Sequence, residues 1–221
     1  MMRARWLESE FPVSFSEVCD VFFANQYNDS VGAGFVLNRR TASHVKGKYI
    51  EKSVKSVTFI DPFGVEVESV ETSYYTCQFE LYADRNLILI HNPPRTLKSF
   101  IAKMHELFGL GVVLAELKVE VSAWFNEIKK ELDKVEVKHI SAYGISVKPH
   151  GLAKLSVSGK VDIQEEFNTM VKNHQHKIDV IKFDFIYDNS EFQLELNKAA
   201  GIRLKGNQSE EVLSLCSRYL S

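Results

Sequence analysis

The chain reads as an α+β protein made mainly of antiparallel sheet, with a ferredoxin-like βαββαβ lobe in its C-terminal part. Three observations lead there. Long stretches rich in Val, Thr, Tyr and Phe, Lys46–Ile60 and Val65–Tyr82, meet at Asp61-Pro62-Phe63-Gly64, whose Asp, Pro and Gly suit a type I turn. Apolar residues recur at helical spacing in two segments: Leu97, Phe100, Ile101, Met104, Leu107 and Phe108, then Val121, Trp124, Phe125, Ile128 and Leu132. From Gly111 to Tyr187 the predicted elements run in the order βαββαβ.

Taken in order, Ser14-x-x-Glu17 is a capping box that predicts a helix from Phe15 to Asn25. Gly32 to Arg40 opens the strand region. The Lys46–Ile60 and Val65–Tyr82 stretches form a long hairpin, Asn86 to His91 adds a short strand, and Pro93-Pro94 stops it. After the Leu97–Phe108 helix, Gly111 to Glu120 reads as a strand. Val135 to Val147 and Leu152 to Val161 make a second hairpin around Lys148-Pro149-His150-Gly151. Asp162-x-x-Glu165 caps a helix carrying Ile163, Phe167, Met170 and Val171. Ile178–Tyr187 and Phe192–Leu196 are strands joined at Asp188-Asn189-Ser190, and a helix with Val212, Leu215, Cys216 and Leu220 comes last. With no Gly/Ser linker to divide the chain, residues 1–94 form a helix-plus-hairpin lobe and 95–221 the ferredoxin-like lobe, or the two make one continuous domain.

The 221 residues carry 27 basic and 29 acidic side chains, and 45% are hydrophobic. That balance excludes a disordered tail protein and a protein that coats nucleic acid with bulk positive charge. Cys19, Cys77 and Cys216 are odd in number and far apart, which fits buried thiols in a reducing compartment. Acid arrives too early after Met1 for a secretory leader, and the longest uncharged apolar run, Leu107 to Ala115, is less than half of the roughly 20 residues a membrane helix needs. The expectation is a soluble cytoplasmic protein with no membrane partner.

The near-zero total hides a polarised layout. Arg39 to Lys55 holds six basic side chains and one acid, whereas Asp61 to Asp84 holds six acids and no Lys or Arg. These blocks are the two arms of the first hairpin. Either they pair with each other, or Arg39, Arg40, Lys46 and Lys48, with Tyr49 alongside, form an anion-binding strip. The second hairpin is free of acids between Glu136 and Asp162. Pairing Val147 with Leu152 sets Ile145 opposite Lys154, Tyr143 opposite Ser156, Ser141 opposite Ser158 and His139 opposite Lys160, all on one face. His139, Tyr143, Lys154 and Lys160 would then present donors suited to a phosphate backbone.

Enzyme motifs fare less well. Glu116-Leu117-Lys118 after an apolar strand fits a metal-dependent nuclease, but Glu127/Lys129 and Glu136/Lys138 repeat that spacing without context, as composition alone allows. His174 and His176 lack a third metal ligand in sequence. There is no phosphate-binding glycine loop, nucleophile elbow or zinc-protease motif. No catalytic residue, metal ligand or cofactor is assigned.

The segment Val135–Tyr187, with Ser-Val-Ser-Gly-Lys-Val-Asp-Ile leading into a helix and then Ile-Asp-Val-Ile-Lys-Phe, resembles the RexA-like phage-exclusion proteins. Those are non-catalytic DNA-binding proteins of bacterial antiviral systems. The resemblance covers about a quarter of the chain and carries over no individual residue. It implies a non-enzymatic, DNA-associated module in a defence or exclusion setting. The alternatives are a protein-interaction or assembly subunit, with another protein or a second copy as partner, and a metal-dependent nuclease.

Overall fold

The computed structural model describes residues 1–147, 151–207 and 209–220, and these form a mixed α+β fold with a large, mainly antiparallel sheet. The Lys148-Pro149-His150 turn expected from the sequence lies outside the described residues. The chain makes two compact units, Leu7–Ala115 and Met1–Trp6 with Glu116–Ser221. Strand β1 (Met2–Glu10) gives its first five residues to the second of these and its last four to the first.

In the Leu7–Ala115 unit, α1 (Phe15–Ala24) starts at the expected capping box, Ser14 and Glu17 each bonding the other's backbone N–H. Strands β2 (Ala33–Arg40), β3 (His44–Ile60), β4 (Glu66–Tyr82) and β5 (Leu87–His91) continue as an antiparallel meander. Gly64 closes the β3–β4 turn at φ +84°, its N–H bonding the Asp61 carbonyl at 3.0 Å. Strand alternation sends Val45, Tyr49, Cys77, Phe79 and Leu81 to one face. There they meet Phe22 of α1 and Phe100 and Met104 of α2 (Lys98–Phe108). Phe22 lies 4.7 Å from Phe35 and 5.3 Å from Phe79, ring centre to ring centre, and each such buried ring contributes about 2–3 kcal/mol through burial. Strand β6 (Val113–Glu116) is much shorter than the Gly111–Glu120 strand expected, because Glu120 instead caps α3 (Val121–Lys129) through the Ala123 N–H.

The other unit continues with β7 (Asp133–Val147), β8 (Gly151–Ser158), α4 (Gln164–Val171), β9 (Lys177–Tyr187), β10 (Ser190–Asn197), β11 (Gly201–Lys205) and α5 (Ser209–Arg218). Its strand order is β1-β11-β10-β9-β7-β8, with neighbouring strands antiparallel from β1 to β8. From β6 to β9 the chain order is βαββαβ, and in space β7 lies between β8 and β9 while β6 pairs with β1. Asp188 and Asn189, both at positive φ, make the two-residue β9–β10 turn that the right-handed strand twist favours. Trp124 meets Trp6 edge-on at 6.0 Å and donates to the Cys216 carbonyl at 3.0 Å. Phe125 packs on Phe183 at 4.9 Å.

Three local expectations are corrected. Asp162 is not the first residue of a capping box: its carboxylate accepts from the N–H groups of Gln164 and Val137, and Ile163 is the N-cap. The β7–β8 register is His139 with Ser158 and Ser141 with Ser156, so Lys160 falls beyond the strand and not opposite His139. Tyr143 and Gly144, the latter at φ +71°, together oppose Lys154 as a bulge. The extra residue turns Ile145 into the core, at 8% exposure, away from the polar face expected for it.

Candidate functional site

Two surfaces carry the chemistry. One is the polar face of the sheet in the unit that contains β7 to β11. Strand register aligns Arg3, Arg203, Glu195, Lys182, His139 and Ser158 as one rung across five β-pairings. Glu195 is held by Lys182 at 2.9 Å and by Arg203 at 3.5 Å. Beside that rung a bulge in β9, between Ile178 and Val180, turns Asp179 to the face. Its two oxygens accept from Lys154 and Lys198, each at 2.9 Å. Those hydrogen bonds hold the Asp179 carboxyl below its ordinary range despite some burial. The Lys198 ammonium also sits 4.3 Å above the Tyr143 ring, a cation–π contact. Arg5 pairs with Glu116 at 3.1 Å, which engages the acid of the Glu-x-Lys pair that fits a nuclease in sequence.

The predicted residues His139, Tyr143 and Lys154 are thus brought to one face, while Lys160 lies off the strand with its carbonyl accepting from Lys138. Burial and the nearby Lys182 push the His139 imidazole below its ordinary range, disfavouring its charged form.

The other predicted strip is divided. Arg40 pairs with Asp20 at 2.6 Å. Arg39 is exposed opposite Lys46, and Lys48 lies between Val36 and Gln78. Lys46 reaches Glu80 at 2.8 Å, so here the two oppositely charged arms do pair. Glu80 is 7% exposed and also receives His91 at 2.7 Å, His44 at 3.2 Å and the Tyr82 hydroxyl at 2.9 Å. Burial opposes its ionisation, yet the His91, Lys46 and Tyr82 bonds outweigh burial and hold the carboxyl well below the usual range.

The second surface is the outer part of the β3–β4 hairpin; the sequence suggests exposed hairpin edges, or the last helix, as a protein contact but marks no individual residue here. Pairing with β2 ends at Glu51 and pairing with β5 reaches only Gln78. Beyond those points, residues 54–60 and 62–74 are exposed as a two-stranded ribbon. At about 3.4 Å per residue, the nine residues from Glu51 to Ile60 carry it roughly 30 Å past the last β2 contact. Val54, Val57, Phe59, Ile60, Val65, Val67 and Val70 line it, with Phe63 at the tip 90% exposed. The signal present in the sequence is strand length: arms of 17 residues far exceed a typical strand of about 5–6.

Cys19, Cys77 and Cys216 are buried free thiols, and burial pushes Cys77 and Cys216 up to about 12, unsuited to nucleophilic work. His174 and His176 bond backbone carbonyls, of Ser146 and His174 respectively. Among the described residues no group of three or more His, Cys, Asp or Glu is placed to hold a metal ion, and no helix is long and apolar enough to cross a membrane. Comparison with protein-family models and with curated proteins finds no match.

Proposed function

We propose that the chain is a non-enzymatic binding module that docks a protein partner along its β3–β4 ribbon. The observation that carries this reading is the ribbon's apolar side chains, Phe59, Ile60, Phe63, Val65 and Val70 among them, held in solvent at the end of an otherwise well-packed unit. A two-stranded ribbon is only marginally stable when both faces meet water, and contiguous exposed apolar surface marks contact sites. A photo-crosslinking residue at Phe59 should capture a cytoplasmic partner. That partner, once purified, should bind the wild-type chain at least tenfold more tightly than Phe59→Ser/Val67→Ser. Equal affinity for both chains would refute the reading.

A DNA-associated role in a phage-exclusion setting is the second reading. It is supported by the part of the sheet face where Lys154 and Lys198 share Asp179 and where Lys182 and Arg203 share Glu195, two cations to each acid. Each phosphate neutralised releases counterions, giving a log–log salt slope of about −0.9. Duplex binding at low salt should weaken in Lys154→Glu/Lys182→Glu, and a mobility shift unchanged by that pair would end this reading. We read the β6-to-β9 run as ferredoxin-like in its element order, with the exposed sheet face available for such a contact.

A further inference from the structure

We infer that the ribbon's partner is a second copy of this chain, stacked face to face about a two-fold axis running along the ribbon. This rests on the docking role proposed for the ribbon and names its occupant. The two faces of the ribbon differ. One carries Glu66 and Glu68 with Val54, Ile60 and Val70, and its acids lack a basic counterpart in the same rungs, which pair Ile60 with Glu66 and Thr58 with Glu68. The other is built of the rungs Phe59/Val67, Val57/Ser69 and Lys55/Glu71. Its charge is balanced, one cation and one anion in a single rung, with the apolar rungs outside it.

That second face is complementary to itself. Turning one ribbon over about its long axis lays β3 of one copy on β4 of the other. Lys55 then faces Glu71 of the second copy, and Glu71 faces its Lys55. Phe59 likewise meets the smaller Val67, and Val67 meets Phe59, so that bulk opposes a gap twice. Each residue i contacts j while j contacts i, which is what an isologous dimer interface requires. Stacked sheets lie about 10 Å apart, within reach of these side chains. The opposite face, with two acids and no lysine in the same rungs, would repel its own copy.

The test is equilibrium sedimentation of the full chain over a range of concentrations, with thermal unfolding to verify that each variant folds. Wild type should dimerise reversibly. Lys55→Glu alone, and Glu71→Lys alone, should each weaken self-association about tenfold or more, since two attractive contacts become two repulsive ones. Mixing those two variants should restore a dimer of one copy each, because positions 55 and 71 then carry opposite charges across both contacts. A role confined to pairing within one hairpin could not produce that recovery. A monomeric wild type, a dimer indifferent to both substitutions, or a mixture that fails to recover would each overturn the inference. A monomeric wild type whose Phe59 crosslinker still captures a partner that Phe59→Ser/Val67→Ser loses would overturn the second copy as occupant while leaving the docking role intact.

Discussion

Four donors converge on the Glu80 carboxylate, from His44 and Lys46 on β3, His91 on β5 and its own neighbour Tyr82. With its pKa depressed on folding, Glu80 stabilises the native state above its ordinary value of 4.5, and that contribution is lost progressively as the pH falls below it. Glu80→Gln should therefore cost about 3–5 kcal/mol at neutral pH, as for one partner removed from a buried ion pair. The gap from wild type should narrow toward acid pH in urea titrations, and a gap independent of pH would exclude this account. Residue-scale features differ in how readable they are from sequence. Ser14 and Glu17 are legible because both halves of the capping box lie within one turn of chain. Lys46 reads as an anion binder in sequence because its true partner, Glu80, is brought beside it only by the hairpin register.

At the scale of elements, the ribbon contributes little to the core of its own unit. The buried residues on these strands stop at Tyr49 and Cys77, and every side chain from Val54 to Ile60 is exposed. Replacing residues 54–72 with Asn-Gly, a turn that suits a two-residue hairpin, should leave the unfolding temperature within a few degrees of wild type. A large drop in scanning calorimetry would mean that the ribbon supports its own unit after all. The hairpin itself is legible from Asp61-Pro62-Phe63-Gly64 and the flanking β-branched residues. Its projection is not, because β2 and β5 cover only the inner portions of β3 and β4, and strand length alone does not reveal where neighbours stop. The β7–β8 register escapes the sequence for a related reason. Gly144 at positive φ inserts a bulge, and one extra residue reverses the faces of the strand beyond it.

The unit made of Met1–Trp6 and Glu116–Ser221 includes a strand pairing between segments far apart in sequence. Met2 to Arg5 pair with Leu204 to Gly201, and Trp6 donates its N–H to the Ala200 carbonyl at 3.0 Å. Neither β1 nor β11 is among the strands expected from sequence: the N-terminal residues bear on the question of a leader, and Gly201–Lys205 is only five residues long. Yet Arg3 and Arg5 alternate with buried Ala4 and Trp6, a period-two pattern that marks a half-buried strand. A contact spanning nearly the whole chain carries a large loop-closure entropy, which must be met before the strand is rewarded. A chain beginning at Leu7 should consequently leave β11 as an open edge and Trp124 without its edge-on neighbour. By the scale of buried tryptophan removal, Trp6→Ala alone should cost about 3–5 kcal/mol. Amide exchange at Leu194, Ile202 and Leu204 should quicken in both variants. A synthetic peptide of residues 1–10 added to the truncated chain should restore slow exchange saturably, while the same peptide with Trp6→Ala should not. Unchanged protection in the truncated chain would show that β11 is held without β1.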